Sequence, residues 1–227
     1  TFRMISKYVA NYTISAAEKQ LFSRSFRKKS GKRKNFIWNG ADRVHEIDFY
    51  ARVRYNKNNM DNLILIGMPS SGKSTAGVLL AKKIGYGFID SDLIIQGEQG
   101  ALLSEIIERE GAEGFIAIEE RVNAGLMAMR CVIATGGSVC YSERAMNHLK
   151  SLGKVVYLQL SEEEVARRIP SLVKRGVVMR GNVATLDALY RERIPLYERY
   201  ADVTVRCDGQ TIDETVGAIA AATGFSI

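Results

Sequence analysis

Residues Leu63 to Thr75 constrain this chain more than any other stretch. An apolar run of strand type, Leu63-Ile64-Leu65-Ile66, leads into Gly67-Met68-Pro69-Ser70-Ser71-Gly72-Lys73-Ser74-Thr75. A helical spacing of Ala76, Leu79, Leu80 and Ile84 follows as far as Gly85, which supplies a C-cap. A strand, a Gly-x-x-x-x-Gly-Lys-Ser loop and a helix make a phosphate cradle. Several donors must converge on a polyphosphate, and glycine at Gly67 and Gly72 lets backbone N–H groups turn inward. The new helix presents its positive end to the same anion. Lys73 is expected to reach the β- and γ-phosphates and the Ser74 hydroxyl to ligate Mg²⁺. Gly67, Ser70, Ser71, Gly72, Lys73, Ser74 and Thr75 are therefore the expected nucleotide-binding residues, and the nucleotide is a triphosphate.

Charge divides the chain in two. Residues 1–59 hold 14 Lys and Arg against 4 Asp and Glu, whereas residues 60–227 hold 18 against 21. The net +7 thus belongs to the front segment, whose centre is the block Arg24-Ser-Phe-Arg-Lys-Lys-Ser-Gly-Lys-Arg-Lys34. Such a block can bind nucleic acid, an anionic surface or nothing, and specific nucleic-acid binding is the less expected, since charge runs are usually solvated. Asn56-Lys-Asn-Asn59 has linker composition, so 1–59 is expected to be a basic extension and 60–227 the functional domain, beginning at Met60. A 46% hydrophobic content is ample for a core. No apolar run approaches the roughly eighteen residues of a membrane span, and no leader is expected. Cys131, Cys140 and Cys207 are too few for a disulfide framework and fit buried thiols in a reducing cytoplasm. His45 and His148 stand far apart, which leaves a zinc site little to build on. A cytoplasmic monomer is expected.

From Met60 onward, strand and helix patterns alternate, as a parallel α/β sheet requires. A short strand, Tyr86 to Ile89, ends in Asp90-Ser91-Asp92. Carboxylates there fall on the same sheet edge as the cradle and can orient Mg²⁺, accept a proton or hold a hydroxyl; an N-cap pair for the next helix is the alternative. Residues 102–130 are helix-rich, with breaks near Gly111 and Gly114. Val132 to Thr135 forms a third strand running into Gly136-Gly137-Ser138, where either a ligand approaches the backbone or the chain makes a tight turn. A helix from about Ser142 to Leu152 and a strand from Val155 to Leu160 follow, and Ser161-Glu-Glu-Glu164 matches a capping box. Between Pro170 and Thr185 lies a basic stretch with Lys174, Arg175 and Arg180, either a lid over the transferring phosphate or a plain exposed loop. Helical pattern returns from Leu186 to about Arg191, a last strand spans Val203 to Val205, and Thr211-Ile-Asp-Glu214 caps a final helix.

Taken in order, the cradle, Asp90-Ser91-Asp92, the Phe115 to Glu119 helix, Ala134-Thr135-Gly136-Gly137, Arg175 and Arg193-Ile194-Pro195-Leu196-Tyr197 resemble shikimate kinase, among the nucleoside-monophosphate-kinase-like P-loop proteins. The resemblance covers Met60 to about Thr223. It implies a three-layer α/β sandwich with a five-stranded parallel sheet in the order 2-3-1-4-5, flanked by helices. It implies ATP and Mg²⁺ as cofactors and transfer of the γ-phosphoryl group to a hydroxyl of shikimate. Asp90 would help organise Mg²⁺ with Ser74, and Asp92 would bind the substrate hydroxyls and serve as base. Gly136 and Gly137 would line the substrate pocket, Arg193 would pair with the substrate carboxylate, and Arg175 would join Lys73 and Asp92 in catalysis. A planar guanidinium fits a carboxylate bidentately, as an ammonium cannot.

Three departures stand out. Ile116 replaces an arginine that helps clamp the carboxylate, Ser138 replaces a third glycine, and Arg175-Gly176 replaces Arg-Pro. Loss of one charged hydrogen-bond partner costs about 1.5–3 kcal/mol, roughly ten- to 150-fold in affinity. Weaker shikimate binding, replacement by another arginine such as Arg121, or another hydroxy acid or polyol such as gluconate would each follow. A non-catalytic nucleotide-binding protein is the reading from a different class.

Overall fold

The computed structural model of the chain describes residues 62–169, 177–179 and 185–227. The basic extension 1–59, its boundary at Met60, and Lys174, Arg175 and Arg180 of the expected lid lie outside the described residues. Five strands form one all-parallel sheet: β1 Asn62–Ile66, β2 Gly87–Asp90, β3 Cys131–Ala134, β4 Gly153–Gln159 and β5 Val203–Arg206. Their order, β2-β3-β1-β4-β5, is the one expected. β1 is central because every one of its residues is apolar or amidic and buried on both faces, as a strand covered by helices front and back must be. Asn62 is the single polar member; it donates to Ala128 O and Leu152 O and accepts from Cys131 N, which ties the bottoms of β3 and β4 to β1.

Helices α1 Lys73–Ile84, α2 Ser91–Gln99, α3 Leu103–Ala124, α4 Glu143–Leu152, α5 Glu162–Arg168, α6 Leu186–Tyr200 and α7 Ile212–Thr223 flank the sheet. α1 ends where Gly85 takes the left-handed conformation (φ 70°), and α3 kinks where Gly111 combines a positive φ with an extended ψ (φ 70°, ψ 176°). The main core lies between sheet and helices, and a second apolar cluster around Ile95, Ile106, Phe115 and Val178 seals α2 against α3.

Two local expectations need revision. The capping box at Ser161 is half made: Ser161 Oγ accepts from Glu164 N, but Ser161 N donates to Asp208, because Glu164 is drawn to Arg167 and Arg168 at 2.6–2.8 Å. The box at Thr211 and Glu214 is complete. The helix expected to end near Arg191 runs on through Pro195 to Tyr200. Packing outweighs the proline there, since Tyr197 is fully buried, stacks on Tyr157 at 5.2 Å and donates to Gly137 O.

The strand order reverses beside β1: β2 and β3 lie to one side, β4 and β5 to the other. Ligands of open α/β sheets bind beyond the carboxyl ends of the strands at such a switch point. The loops after β1, β2 and β3, which carry all the carboxylate and glycine candidates, meet there.

Candidate active site

The loop after β1 is shaped by its backbone. Gly67 sits at φ 143°, and a Cβ on it would lie 2.6 Å from Leu158 O, so no larger residue fits. Ser70 and Gly72 also have positive φ, 65° and 90°. α1 begins with no side-chain cap and no acid in its first turn, which leaves its N–H groups and positive dipole for an external anion. Lys73 Nζ folds back to donate to Gly67 O (2.8 Å) and Met68 O (2.9 Å). Its ammonium is buried beneath the loop, and burial pulls its pKa down to about 8 against the opposing pull of Asp92. A cavity of about 140 Å³ opens over Ser70, Gly72, Lys73, Ser74 and Thr75 and reaches Asp92. Ser71 is buried against Lys73, 3.4 Å from Nζ, and contributes through the loop's shape.

At the end of β2, Asp90 is the N-cap of α2, accepting from Asp92 N at 3.0 Å. The capping alternative therefore describes one of its oxygens. Asp92 points into the crevice; burial and then Asp90 raise its carboxyl to about 6, and Lys73 partly opposes them. After β3, Thr135 is anchored to Leu65 O and Gly136 N donates to Ser91 Oγ. Both glycines are required by contact: a Cβ on Gly136 would lie 2.7 Å from Asp92 Oδ1, and one on Gly137 3.0 Å from Arg193 Nη1.

Arg193 is completely buried on the inner face of α6, in register with Leu189 and Tyr197. Nε donates to Tyr141 Oη (3.1 Å), Nη2 to Val178 O (2.6 Å), and the guanidinium lies over the Tyr141 ring at 5.1 Å. Nη1 has no partner and faces a second, smaller cavity of about 30 Å³. Pro69, Asp92, Leu103, Gly137 and Val177 line both cavities, so the two are adjoining halves of one crevice.

The second cavity holds a residue absent from the expected set. Glu119 of α3 is 1% exposed, neither oxygen has a hydrogen-bond partner in good geometry, and burial followed by Asp92 drives its carboxyl up to about 8. Its sequence signal is an acid at a core position, in line with Phe115 and Val122 at helical spacing, where an apolar residue belongs. Arg121, the candidate replacement for the missing arginine, lies elsewhere: it is half-exposed and pairs with Glu98 at 2.9 Å. Ile116 packs with the second apolar cluster.

Among the described residues, no group of three or more His, Cys, Asp or Glu could hold a metal. The exposed Ser74 hydroxyl and the Asp92 carboxylate line the same cavity. No helix among the described residues is long and apolar enough to cross a membrane.

A dipole-lined anion cradle with an embedded lysine, opening onto a buried acid and guanidinium, defines a P-loop phosphotransferase of small molecules. A family model described as shikimate kinase matches residues 69–223. The chain belongs to the shikimate kinase family. The shikimate kinase of Thiobacillus denitrificans is 40% identical over 154 residues, spanning 67% of this chain and 84% of that one. That of Vibrio vulnificus is 40% identical over 152 residues, 66% and 88% of the two chains. Among solved structures, a shikimate kinase from Acinetobacter baumannii in complex with shikimate is similar at TM-score 0.62 and 31% identity, covering 70% of this chain and 90% of that one.

Proposed function

We propose that this chain transfers the γ-phosphoryl group of ATP to a hydroxyl of shikimate, with catalysis residing in residues 60–227. One observation carries the proposal: Asp92 lines both halves of the crevice, between the cradle around Lys73 and the cavity that Arg193 faces. An acceptor whose carboxylate meets Arg193 Nη1 has its hydroxyl beside Asp92 and in front of a γ-phosphate held over Lys73. In-line transfer asks for little more than this alignment and for charge neutralisation.

Asp92 takes the proton of the attacking hydroxyl, and its raised pKa makes it a better base than an ordinary aspartate. Lys73 exchanges its two loop carbonyls for phosphate oxygens when the nucleotide enters. Ser74 and Asp90 are the residues that would hold Mg²⁺, which spreads the charge of the phosphates. Arg175, outside the described residues, is assigned to the charge of the transferring group on the strength of its basic, glycine-containing surroundings. The shikimate assignment draws support from the relatives' names, and Ile116 is the feature that favours another hydroxy acid. ATP consumption with shikimate, with gluconate and with no acceptor tests it. Turnover with shikimate alone is expected; turnover with gluconate only, or none above background, overturns it.

A further inference from the structure

Arg193 Nη1 and the Glu119 carboxyl face the same small cavity, both buried and neither held in a hydrogen bond of good geometry, with the Ser138 hydroxyl beside the acid. Gly136 and Gly137 lie between them. A Cβ on Gly136 would run into Glu119 Oε1, and one on Gly137 would lie 3.0 Å from Arg193 Nη1. The acid and the guanidinium thus stand against neighbouring residues of this strip. They do not bond to each other. A buried polar group left bare is a deficit, and two bare groups around one cavity are both satisfied by a single ligand group that accepts from each.

The protonation of Glu119 decides whether it can donate. Around it stand Asp92 from α2, Lys73 from α1, Arg193 from α6, and the Ser138 hydroxyl and Cys140 beyond β3. Burial and the like charge of Asp92 outweigh the Ser138 hydroxyl and the two cations, and the carboxyl is held up to about 8. In the empty pocket at neutral pH it is the uncharged acid and owns a proton to give. Among the described residues no second guanidinium lines this cavity, because Arg121 is engaged with Glu98.

We propose, resting on the acid-acceptor reading above, that Glu119 is a specificity-determining residue whose uncharged carboxyl donates a hydrogen bond to the acceptor's carboxylate beside Arg193. Arg193 supplies the charge and one bond; Glu119 supplies the second bond without adding charge. The pair selects a carboxylate over an ester or alcohol at that position, because neither replacement accepts as strongly from both donors. When Glu119 ionises it loses the donor and repels the ligand, so acceptor affinity falls as pH rises through about 8. Binding above that pH takes up a proton.

The test measures shikimate binding by calorimetry near pH 8.5 in two buffers of different ionisation enthalpy, together with the acceptor KM between about pH 6.5 and 9. The expected result is uptake approaching one proton and a KM that rises at least about tenfold across the range. Glu119→Gln keeps an amide donor: its KM stays within about threefold of the parent near neutrality and is flat where the parent rises, with no proton uptake. Lys73 titrates in the same range and is coupled to Glu119, so the inference is read from the loss of the rise in KM with pH in Glu119→Gln together with the loss of proton uptake. Glu119→Ala has a raised KM throughout, and its deficit disappears with the methyl ester of shikimate. Identical pH profiles for parent and Glu119→Gln, absence of proton uptake, or a KM that falls with pH because an ionised Glu119 accepts from a hydroxyl, each overturns the inference. Binding with proton uptake but without phosphoryl transfer would retain it and discard the kinase assignment, and absence of shikimate binding would discard both.

Discussion

The nucleotide cradle and the acceptor pocket share Pro69, Asp92 and Gly137, yet they are built on opposite terms. The cradle is made of backbone. Its donors are N–H groups oriented by positive φ at Gly67, Ser70 and Gly72, and its ammonium, on Lys73, is bonded to the loop's own carbonyls. The pocket is made of side chains. Arg193 and Glu119 are carried into the core on helices remote in sequence, and each arrives with a polar atom unpaired. A site made of backbone keeps its lysine bonded to the loop and turns its uncapped helix N–H groups toward the anion, whatever the rest of that ligand is. A site made of buried unpaired groups is unsatisfied until its ligand comes, and that deficit is the source of its selectivity.

The largest expected effect follows from taking the charge out of the cradle. Lys73→Met should lower kcat by roughly a thousandfold, the upper end for loss of one preorganised electrostatic partner, while shikimate still binds the pocket. Steady-state kinetics with a separate binding measurement would check this. A loss of shikimate affinity as large as the loss of turnover would break the division between the two regions.

The reciprocal change is smaller. Arg193→Ala removes the charged partner of the acceptor and should raise its KM about ten- to 150-fold, leaving the KM for ATP unchanged. Arg193→Lys should recover only part of this, since an ammonium lacks the fork that also serves Tyr141 and Val178. Equal effects on both KM values would show that the guanidinium supports the whole crevice rather than one half of it.

The same contrast explains what the sequence discloses. The cradle is contiguous: nine residues at fixed spacing between a strand and a helix specify it, and the sheet order followed from the family that the whole ordered set of motifs resembles. The pocket is discontinuous. Arg193 is visible because Arg-Ile-Pro-Leu-Tyr is distinctive, whereas Glu119 is marked only by helical spacing, in line with Phe115 and Val122, and that spacing does not say what the acid faces. Arg121, two residues further along α3, lies on a different helical face and pairs with Glu98, a difference that only the rotation of the helix decides. Pro195 and Ser161 mislead for a related reason. Tertiary packing of Tyr197 carries a helix through a proline, and the distant Asp208 and the neighbouring arginines redirect the two partners of the missing half of a capping box.

Asp92 joins the two regions, and its titration should govern turnover. The carboxylate must be ionised to accept a proton, and burial beside Asp90 raises it to about 6, so kcat should fall as pH drops through about 6. An ordinary aspartate would hold activity down to about 4. Asp92→Asn should abolish the acid limb together with most of the activity. A kcat that stays level between about pH 4.5 and 7 would remove Asp92 from the role of base.

The smallest effect is on stability, and it separates the regions by sign. In the pocket, Glu119 is raised from 4.5 to about 8 and Asp92 from 3.8 to about 6. Between those values the folded protein holds more protons than the unfolded chain, so both groups make stability decline as pH rises from about 4 to 8. In the cradle, Lys73 is lowered from 10.5 to about 8; there the unfolded chain holds the extra proton, and stability recovers as pH rises above 8. The ligand-free protein should therefore have a minimum in Tm near pH 8 from these three groups. Thermal melts of Glu119→Gln should show a higher Tm than the parent near that minimum and a flatter decline below it, and Lys73→Met should lose the recovery above it. A bound nucleotide and acceptor should erase the minimum, because each occupies the groups that produce it. Melts of the parent with ATP alone and with shikimate alone would then assign each limb to its own region, and a single ligand that erased both limbs would mean that the two halves of the crevice titrate as one.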